Sequence, residues 1–240
     1  MKATTAISIN TKRIWALIIF LLSVTVMTFS SCNKDKDDDN DPGVTTLQSD
    51  EFAGDNLNSY WKWAKEPDNW TVGSVSEGWL SFIGRHDANI FCDDSTSRLY
   101  QEITSTDDFD ISTRMYCQWG FNDSDVAGLI VKSKSSGEWV LIKLWMWGDK
   151  TGRLEFQGKC DDIVSPVPGS DNSAGSAQYY LRIKRSGHDY TAYFKLSEDD
   201  GWTEIATYTF NDDTPLQVGI FGGTDEGDGQ VLVQFDYFRK

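Results

Sequence analysis

The segment 109–119 carries the pattern that most limits what this chain can fold into. Polar or amphipathic residues fill its even positions, and these odd positions are apolar: Ile111, Met115, Cys117 and Trp119. Such alternation marks a β-strand with one face in a core and the other towards solvent. The segment therefore predicts a half-buried strand, with Arg114, Tyr116 and Gln118 on its open face.

Short runs of the same kind fill the chain from Leu47 to its end, separated by turns rich in Gly, Asn, Asp and Ser. The predicted strands are 78–84, 99–104, 109–119, 126–132, 138–147, 153–158, 179–185, 190–196, 202–210, 216–221 and 231–238. A long loop is predicted at 160–178, and no amphipathic helix of usable length occurs. We predict one all-β domain over residues 46–240, a two-sheet antiparallel jelly-roll sandwich.

The N-terminal segment has the pattern of an export signal. Three basic residues precede an apolar run at 14–29, which is short for a membrane span. The run ends in Phe-Ser-Ser-Cys at 29–32, which resembles the lipobox of bacterial lipoproteins, although Phe29 stands where that box usually has Leu. We predict that residues 1–31 are a cleaved signal peptide and that Cys32 carries lipid. An ordinary secretory signal and an uncleaved anchor are the alternatives.

Residues 32–45 are predicted to form a disordered acidic tether. Residues 33–41 contain only Asn, Lys and Asp, and such a charge block stays solvated. An acidic stretch after a lipidated cysteine also resembles the signal by which some Gram-negative bacteria move lipoproteins to the cell surface. We therefore expect a lipid anchor in the Gram-negative outer membrane and a domain on the cell surface. A plain linker is the alternative.

The charge of the chain excludes some classes of partner. It has 22 Lys and Arg against 37 Asp and Glu, for a net charge of −15. Removal of residues 1–31 makes it more acidic still, because that segment holds three basic residues and no acidic one. Nucleic acid and anionic lipid repel such a chain, so contact with a membrane is expected only through the lipid on Cys32.

Three cysteines remain in the predicted domain: Cys92, Cys117 and Cys160. An odd number cannot pair completely within one molecule. One disulfide with one free thiol, and three buried thiols, are both compatible with the sequence. Their spacing matches no zinc-binding pattern.

Several blocks in a fixed order carry a resemblance to a known family. They are 50–52, Leu57, 61–63, Pro67, Trp70, 78–80, 127–131, 139–143 and 233–238. They resemble the concanavalin A-like jelly-roll domain at the C-terminus of beta-xylosidases and the related regulation-of-enolase-like family. The resemblance implies a concanavalin A-like fold. In beta-xylosidases this module accompanies a separate catalytic domain, so the resemblance does not itself imply hydrolysis.

The strand 138–147 offers the clearest candidate site. Its even positions are apolar and predict the core face. The odd positions, which are expected to face outward, include Trp139, Lys143, Trp145 and Trp147. Indole rings pack against the C–H face of a sugar, whose hydroxyls need donors and acceptors nearby. The residues expected to supply these in the same cleft are Arg114, Tyr116, Gln118, Arg85 and His86. The alternative is that these indoles only pack the protein.

The sequence gives less support to a catalytic centre. Glucanases of this fold carry Glu-x-Asp-x-x-Glu on one strand, and retaining hydrolysis needs two carboxyl groups about 5 Å apart. This spacing does not occur, and the nearest cluster is 198–200 with Glu204. We predict a non-catalytic module that captures polysaccharide or oligosaccharide. A glycoside hydrolase with dispersed carboxylates, and a scaffold lipoprotein in an envelope protein complex, are the alternatives.

Calcium is the one cofactor for which the sequence offers ligands. Asp50 and Asp236 are expected to be neighbours, because the first and last strands of jelly rolls often pair, and Ca²⁺ prefers such hard oxygen ligands. Asp225, Glu226 and Asp228 in a glycine-rich loop form a second candidate. Acidic turn residues without a metal are the alternative.

Overall fold

Two antiparallel sheets of seven strands make up the fold. The computed structural model describes residues 45–84, 95–119, 124–146, 151–159, 164–210, 212, 214–224 and 230–240. The strands are β1 (Lys62–Ala64), β2 (Trp70–Val72), β3 (Leu80–Gly84), β4 (Ser97–Ile103), β5 (Phe109–Gln118), β6 (Val126–Ser133), β7 (Trp139–Met146), β8 (Gly152–Gly158), β9 (Val164–Pro166), β10 (Ser176–Ser186), β11 (Asp189–Lys195), β12 (Thr203–Thr209), β13 (Leu216–Gly223) and β14 (Val231–Phe235). Within the described segments, no helix is long and apolar enough to cross a membrane.

The order of the strands confirms the predicted two-sheet jelly-roll sandwich. Sheet 1 has the order β1-β4-β13-β6-β7-β8-β9, and sheet 2 has the order β12-β11-β10-β5-β14-β3-β2. Every strand pair is antiparallel, although many neighbours in a sheet are far apart along the chain. The two faces of each sheet are called inner, towards the other sheet, and outer.

Alternation in β5 and β7 places one side of each strand in the core between the sheets. Ile111, Met115 and Cys117 of β5 have no exposed surface. The apolar even positions of β7 are at most 1 % exposed and join the same core: Val140, Ile142, Leu144 and Met146. Both predicted inner faces are therefore confirmed.

The two ends of the described chain pair with each other. Asp50 and Phe238 exchange two backbone hydrogen bonds of 2.7 Å, and Ser112 of β5 pairs with Arg239. Thr113 is the one polar residue among the odd positions of β5, and it is fully buried. Its hydroxyl is satisfied there because it donates to the Tyr237 carbonyl at 2.5 Å. The expected closeness of the first and last segments is confirmed.

Some predicted features differ from the structure or lie outside it. The short strands β1, β2 and β9 were not predicted, because three residues are too few for alternation to show. All three lie at sheet edges, and β9 falls within the predicted loop 160–178.

Cys117 is a free, buried thiol whose pKa is raised by its burial, so it stays protonated and inert. Cys92 and Cys160 lie outside the described residues.

A buried ion pair closes the end of the β10–β11 hairpin. The Arg185 Nε donates to Asp212 Oδ2 at 2.7 Å, and the Tyr190 hydroxyl donates to the same oxygen at 2.5 Å. His188, whose side chain is 64 % exposed, contacts the other Asp212 oxygen through Nδ1. Burial raises the pKa of Tyr190, so its hydroxyl remains a donor. The Asp212 carboxylate therefore contacts three side chains of one hairpin, Arg185, His188 and Tyr190.

We predict that Asp212→Asn lowers the free energy of unfolding by about 3–5 kcal/mol, because Arg185 is left buried without a counter-charge. Urea denaturation measures this loss. Asp199→Asn in the exposed turn before β12 is the control, and we expect a change within about 0.5 kcal/mol there. An equally small effect of both variants would contradict a stabilising role for the Asp212 cluster.

Candidate functional site

The residues predicted to share one cleft lie on opposite sides of the sandwich. Trp139, Lys143 and Trp145 lie on the outer face of sheet 1, on β7. The second group, Arg114, Tyr116 and Gln118, lies on the outer face of sheet 2, on β5. The prediction of a single cleft is wrong, because alternation identifies the face of a strand but not the sheet that the strand joins. Arg85, His86, Trp147 and Cys32 lie outside the described residues.

The outer face of sheet 1 is buried rather than open to solvent. Trp139 is 4 % exposed and Lys143 is 0 % exposed, while Trp145 is half-buried. A second hydrophobic cluster of buried side chains lies on this face, and its members are Val126, Ile130, Trp139, Leu141 and Phe221. The prediction of a solvated aromatic platform on β7 is therefore wrong. Sheet 1 has apolar side chains on both faces, and the sequence pattern of one strand does not reveal whether its outer face is covered.

A buried ion pair lies within this closed face. The Lys143 Nζ donates to Gln157 Oε1 at 2.5 Å and lies 3.5 Å from Glu155 Oε2 on the neighbouring strand. It also lies 3.4 Å from the centroid of the Trp145 ring. The predicted proximity of Lys143 and Trp145 is thus observed, but as a buried contact. Such a pair is costly to desolvate and is held only by good geometry, which makes this face rigid.

The described part of sheet 1 does not bring two carboxylates to a hydrolytic distance. Glu155 on β8 and Glu102 on β4 both face outward, but β13, β6 and β7 lie between their strands. At about 4.8 Å per strand, four steps separate them by about 19 Å. Glycoside hydrolysis by two carboxyl groups needs about 5–9.5 Å. The predicted alternative of dispersed carboxylates gains no support from this face.

The outer face of sheet 2 carries a row of alternating rings and cations that is partly accessible to solvent, although its central ring, Tyr180, is only 5 % exposed. We call it the aromatic–cation row, and it consists of Trp79, Arg114, Tyr180, Lys195 and Trp202. Strand register places Tyr180 between Arg114 on one side and Lys195 on the other. The row therefore runs across the strands rather than along one of them.

Each cation of the row lies between two rings. The Arg114 Cζ is 5.0 Å from the Trp79 centroid and 5.8 Å from the Tyr180 centroid. The Lys195 Nζ is 4.9 Å from the Tyr180 centroid and 5.3 Å from the Trp202 centroid. Contacts of this kind fix long side chains that would otherwise be mobile, which pre-organises the surface.

Polar groups flank the row on both sides. Arg114 donates to Gln178 Oε1 at 3.0 Å and pairs with Asp236 at 3.3 Å, and its side chain is still 32 % exposed. Beside Trp202, Arg182 lies 5.2 Å from the Tyr193 centroid and forms a two-pronged ion pair with Asp110. The hydrogen bonds that Arg182 donates to Asp110 raise the pKa of Arg182 and keep it charged.

Three predicted site residues lie together on this open face, and several others were missed. Arg114 belongs to the aromatic–cation row, while Tyr116 is half-buried and Gln118 is exposed on the same side of β5. The side chains that sequence reasoning missed are Trp79, Tyr180, Tyr193, Lys195 and Trp202. Alternation in β10 and β11 predicts that Tyr180, Tyr193 and Lys195 face outward. Trp79 and Trp202 fall within the predicted strands 78–84 and 202–210, but in the structure they lie just before β3 and β12.

The two aspartates proposed as calcium ligands have other roles. Both oxygens of the Asp50 carboxylate accept hydrogen bonds, from the Phe52 amide at 2.8 Å, Asn58 Nδ2 at 2.9 Å, the Tyr60 hydroxyl at 3.2 Å and Trp61 Nε1 at 2.7 Å. Burial, with the charge of Asp50, raises the pKa of Tyr60 to about 12. Asp236 pairs with Arg114. The described residues contain no cluster of three metal-ligating side chains, and 225–229 lie outside them.

Two seven-stranded antiparallel sheets packed face to face define a concanavalin A-like domain. The sequence profile of the beta-xylosidase C-terminal concanavalin A-like domain matches residues 49–239. The chain belongs to this family, as the resemblance implied. Family membership supports a carbohydrate-related role. A comparison with curated proteins finds no match.

Solved structures share the fold at low sequence identity. A xylan beta-1,4-xylosidase from Bacillus halodurans has a TM-score of 0.63 and 18 % identity, over 82 % of this chain and 40 % of that protein. Xyloglucan PUL GH43B of Bacteroides ovatus has a TM-score of 0.62 and 16 % identity, over 83 % of this chain and 40 % of that protein. The chain thus spans about two fifths of these proteins.

Another similar structure is matched over almost its full length. It is a LamA variant from Z. galactanivorans in complex with laminaritriose and laminaritetraose. Its TM-score is 0.50 at 13 % identity, over 82 % of this chain and 98 % of that one. At these identities the structural likeness establishes the fold alone.

We predict that Lys143 and Glu155 stabilise the fold as a coupled pair. Lys143→Met alone should lower the free energy of unfolding by about 3–5 kcal/mol, because it leaves the Glu155 carboxylate buried without the Lys143 ammonium, and Glu155→Gln alone should also lower it, because it removes the same ion pair. The double variant Lys143→Met with Glu155→Gln should lose clearly less than the sum of the single losses. Urea denaturation of all variants measures the coupling.

The exposed pair between Lys134 and Glu102 on the same sheet is the control, with its nitrogen and oxygen 3.1 Å apart. Lys134→Met should cost at most about 1 kcal/mol. Additive losses for Lys143 and Glu155 would show that they are not coupled.

Proposed function

We propose that the folded domain binds polysaccharide or oligosaccharide without catalysis, through the outer face of sheet 2. The observation that carries this proposal is the aromatic–cation row, where rings and charged donors lie side by side and all members except the buried Tyr180 remain partly accessible. Rings supply apolar surface for the C–H face of sugars, and guanidinium, amide and carboxylate groups pair with hydroxyls.

The dimensions of the face suit an extended glycan rather than a small ligand. Together with the flanking Asp236, next to β14, the row extends across β5, β10 and β11 to the start of β12. At about 4.8 Å per strand, four steps amount to about 19 Å. Gln178 and Tyr116 on one side, and Arg182 and Tyr193 on the other, widen the surface. A chain of several sugars lying across the strands would contact the accessible members of the row, Trp79, Arg114, Lys195 and Trp202.

The comparisons support the same class of ligand. The family takes its name from beta-xylosidases, and two similar structures are named for xylan and xyloglucan. A third, with the same fold, was solved with laminaritriose and laminaritetraose. These ligands belong to those proteins, and they make neutral plant or algal glycans the first compounds to test here.

We further propose that lipid on Cys32 anchors the domain to the Gram-negative outer membrane, with the domain on the cell surface. The apolar run at 14–29, the small residues before Cys32 and the acidic residues after it support this arrangement. Several acyl chains at about 0.8 kcal/mol per buried methylene give effectively permanent attachment. A captured glycan would then be held at the cell, where transporters and hydrolases act on it.

Trp202→Ala and Tyr193→Ala are each expected to weaken binding to xylan or xyloglucan oligosaccharides at least tenfold, which is about 1.4 kcal/mol. Each removes a ring from the open face. Isothermal titration with residues 33–240, which include the whole described sandwich, measures the change, and circular dichroism checks folding.

Trp145→Ala is the matched control on the opposite sheet, and we expect it to leave affinity unchanged. Loss of binding in Trp145→Ala with normal binding in Trp202→Ala would move the site to sheet 1. Absence of binding to any glycan on an array would refute the proposed function.

For the anchor, Cys32→Ala is expected to abolish labelling of the protein with a radioactive or clickable fatty acid, because the thiol that carries the lipid is absent. Protease treatment of intact cells should degrade the wild-type domain if it faces outward. Fatty-acid labelling that persists in Cys32→Ala, or wild-type protein that carries no label, would contradict a lipid anchor at Cys32.

A further inference from the structure

A cavity of about 260 Å³ opens on the outer face of sheet 2, at its β2–β3–β14 edge. Its lining residues are Asp68, Asn69, Trp70, Thr71, Val75, Ser81, Phe82, Ile83 and Leu232. None of them belongs to the aromatic–cation row. The cavity is a separate feature of the same face.

Strand register connects the cavity to the proposed glycan platform. Leu232 of β14 pairs with Ile83 of β3 on one side and with Gln118 of β5 on the other. Gln118 lies four residues from Arg114 on β5, which is about 14 Å at 3.4 Å per residue. A glycan that occupies the row can therefore place a side group or a neighbouring unit in the cavity.

The cavity walls are mostly apolar but also carry the hydroxyls of Thr71 and Ser81, and the rim is polar. Ile83 and Leu232 are half-buried, and Val75, in the turn between β2 and β3, is 59 % exposed. Val75 and Leu196 are the two large hydrophobic side chains that stand out into solvent among the described residues. Asp68 and Asn69 at the rim are exposed. Exposed apolar surface beside a cavity is typical of a binding site.

The apolar wall of Val75, Ile83 and Leu232 favours an apolar group over a bare sugar. Sugar hydroxyls placed against Ile83, Leu232 and Val75 would lose their hydrogen bonds to water without replacement, which costs free energy. An acyl group buries its carbon atoms there, and its ester carbonyl can accept a hydrogen bond from the Asn69 side-chain amide at the rim. Asp68 repels a carboxylate, so the cavity disfavours uronic acids.

The size of the cavity also fits an acyl group. An apolar cavity of about 150 Å³ is large enough for benzene. A cavity of 260 Å³ therefore admits an acetyl group and also an aromatic acyl group. Resting on the proposed glycan-binding function, we propose that this cavity binds an ester-linked acyl substituent of the glycan, so that the domain prefers acylated over bare polysaccharide.

The test compares one glycan with and without its esters. Acetylated xylan oligosaccharides, the same material after mild alkaline deacylation, and feruloylated xylan oligosaccharides are titrated into residues 33–240. Affinity is expected to fall at least fivefold on deacylation. Whether the acetylated or the feruloylated compound binds more tightly identifies the acyl group.

Val75→Asn is expected to abolish this preference while leaving the affinity for deacylated glycan unchanged, because Val75 is exposed and lies outside the aromatic–cation row. Val75→Ile, which keeps the apolar wall, should retain the preference. Leu196→Asn, at the other exposed hydrophobic residue, should leave the ratio of the two affinities unchanged.

The two proposals fail in different ways. Equal affinity for acylated and deacylated glycan would overturn the acyl site while the glycan-binding function stands. Absence of binding to every form would overturn both. A preference that Val75→Asn does not alter would show that the acyl group binds elsewhere, and would overturn the assignment to this cavity.

Discussion

The packing of the two inner faces against each other is the interaction on which the rest of the structure depends. Ile111 and Met115 from sheet 2 meet Val140 and Ile142 from sheet 1 in one core with no exposed surface. Interiors of this density tolerate neither cavities nor unpaired polar groups. Chemistry that needs solvent is therefore confined to the outer faces, the sheet edges and the turns.

The two outer faces have different roles although they use the same residue types. Lys143 and Lys195 both lie over indole rings, at 3.4 and 5.3 Å from the ring centroids. Lys143 is fully buried beside Glu155, so its charge favours one arrangement of the packed side chains around it. Lys195 is half-buried, and a ligand can reach it. The difference between a structural and a binding lysine therefore lies in access, which the residue and its neighbours in sequence do not reveal.

Alternation predicted much of the fold and only part of the candidate site. In β5 it correctly identified Ile111 as inward and Arg114 as outward, because a period of two is a property of one strand. It could not show that β5 and β7 belong to different sheets, since pairing depends on residues far apart in sequence. It also did not single out Trp79 or Trp202, which lie just before β3 and β12, or show that the outer face of β7 is buried. These features depend on tertiary contacts.

The pairing of Asp50 with Phe238 determines how the domain would bear a load. For a domain tethered by its N-terminal end, tension from a bound polymer would first reach the hydrogen bonds of Thr45 with Thr104 and of Gln48 with Gln101 on β4 of sheet 1, and then the paired backbone hydrogen bonds between Asp50 and Phe238. From the adjacent Arg239 it would continue to Ser112 of β5, two residues from Arg114 in the aromatic–cation row. The N-terminal segment is thus bonded to both sheets, so flow pulling on a captured glycan would load the two sheets together.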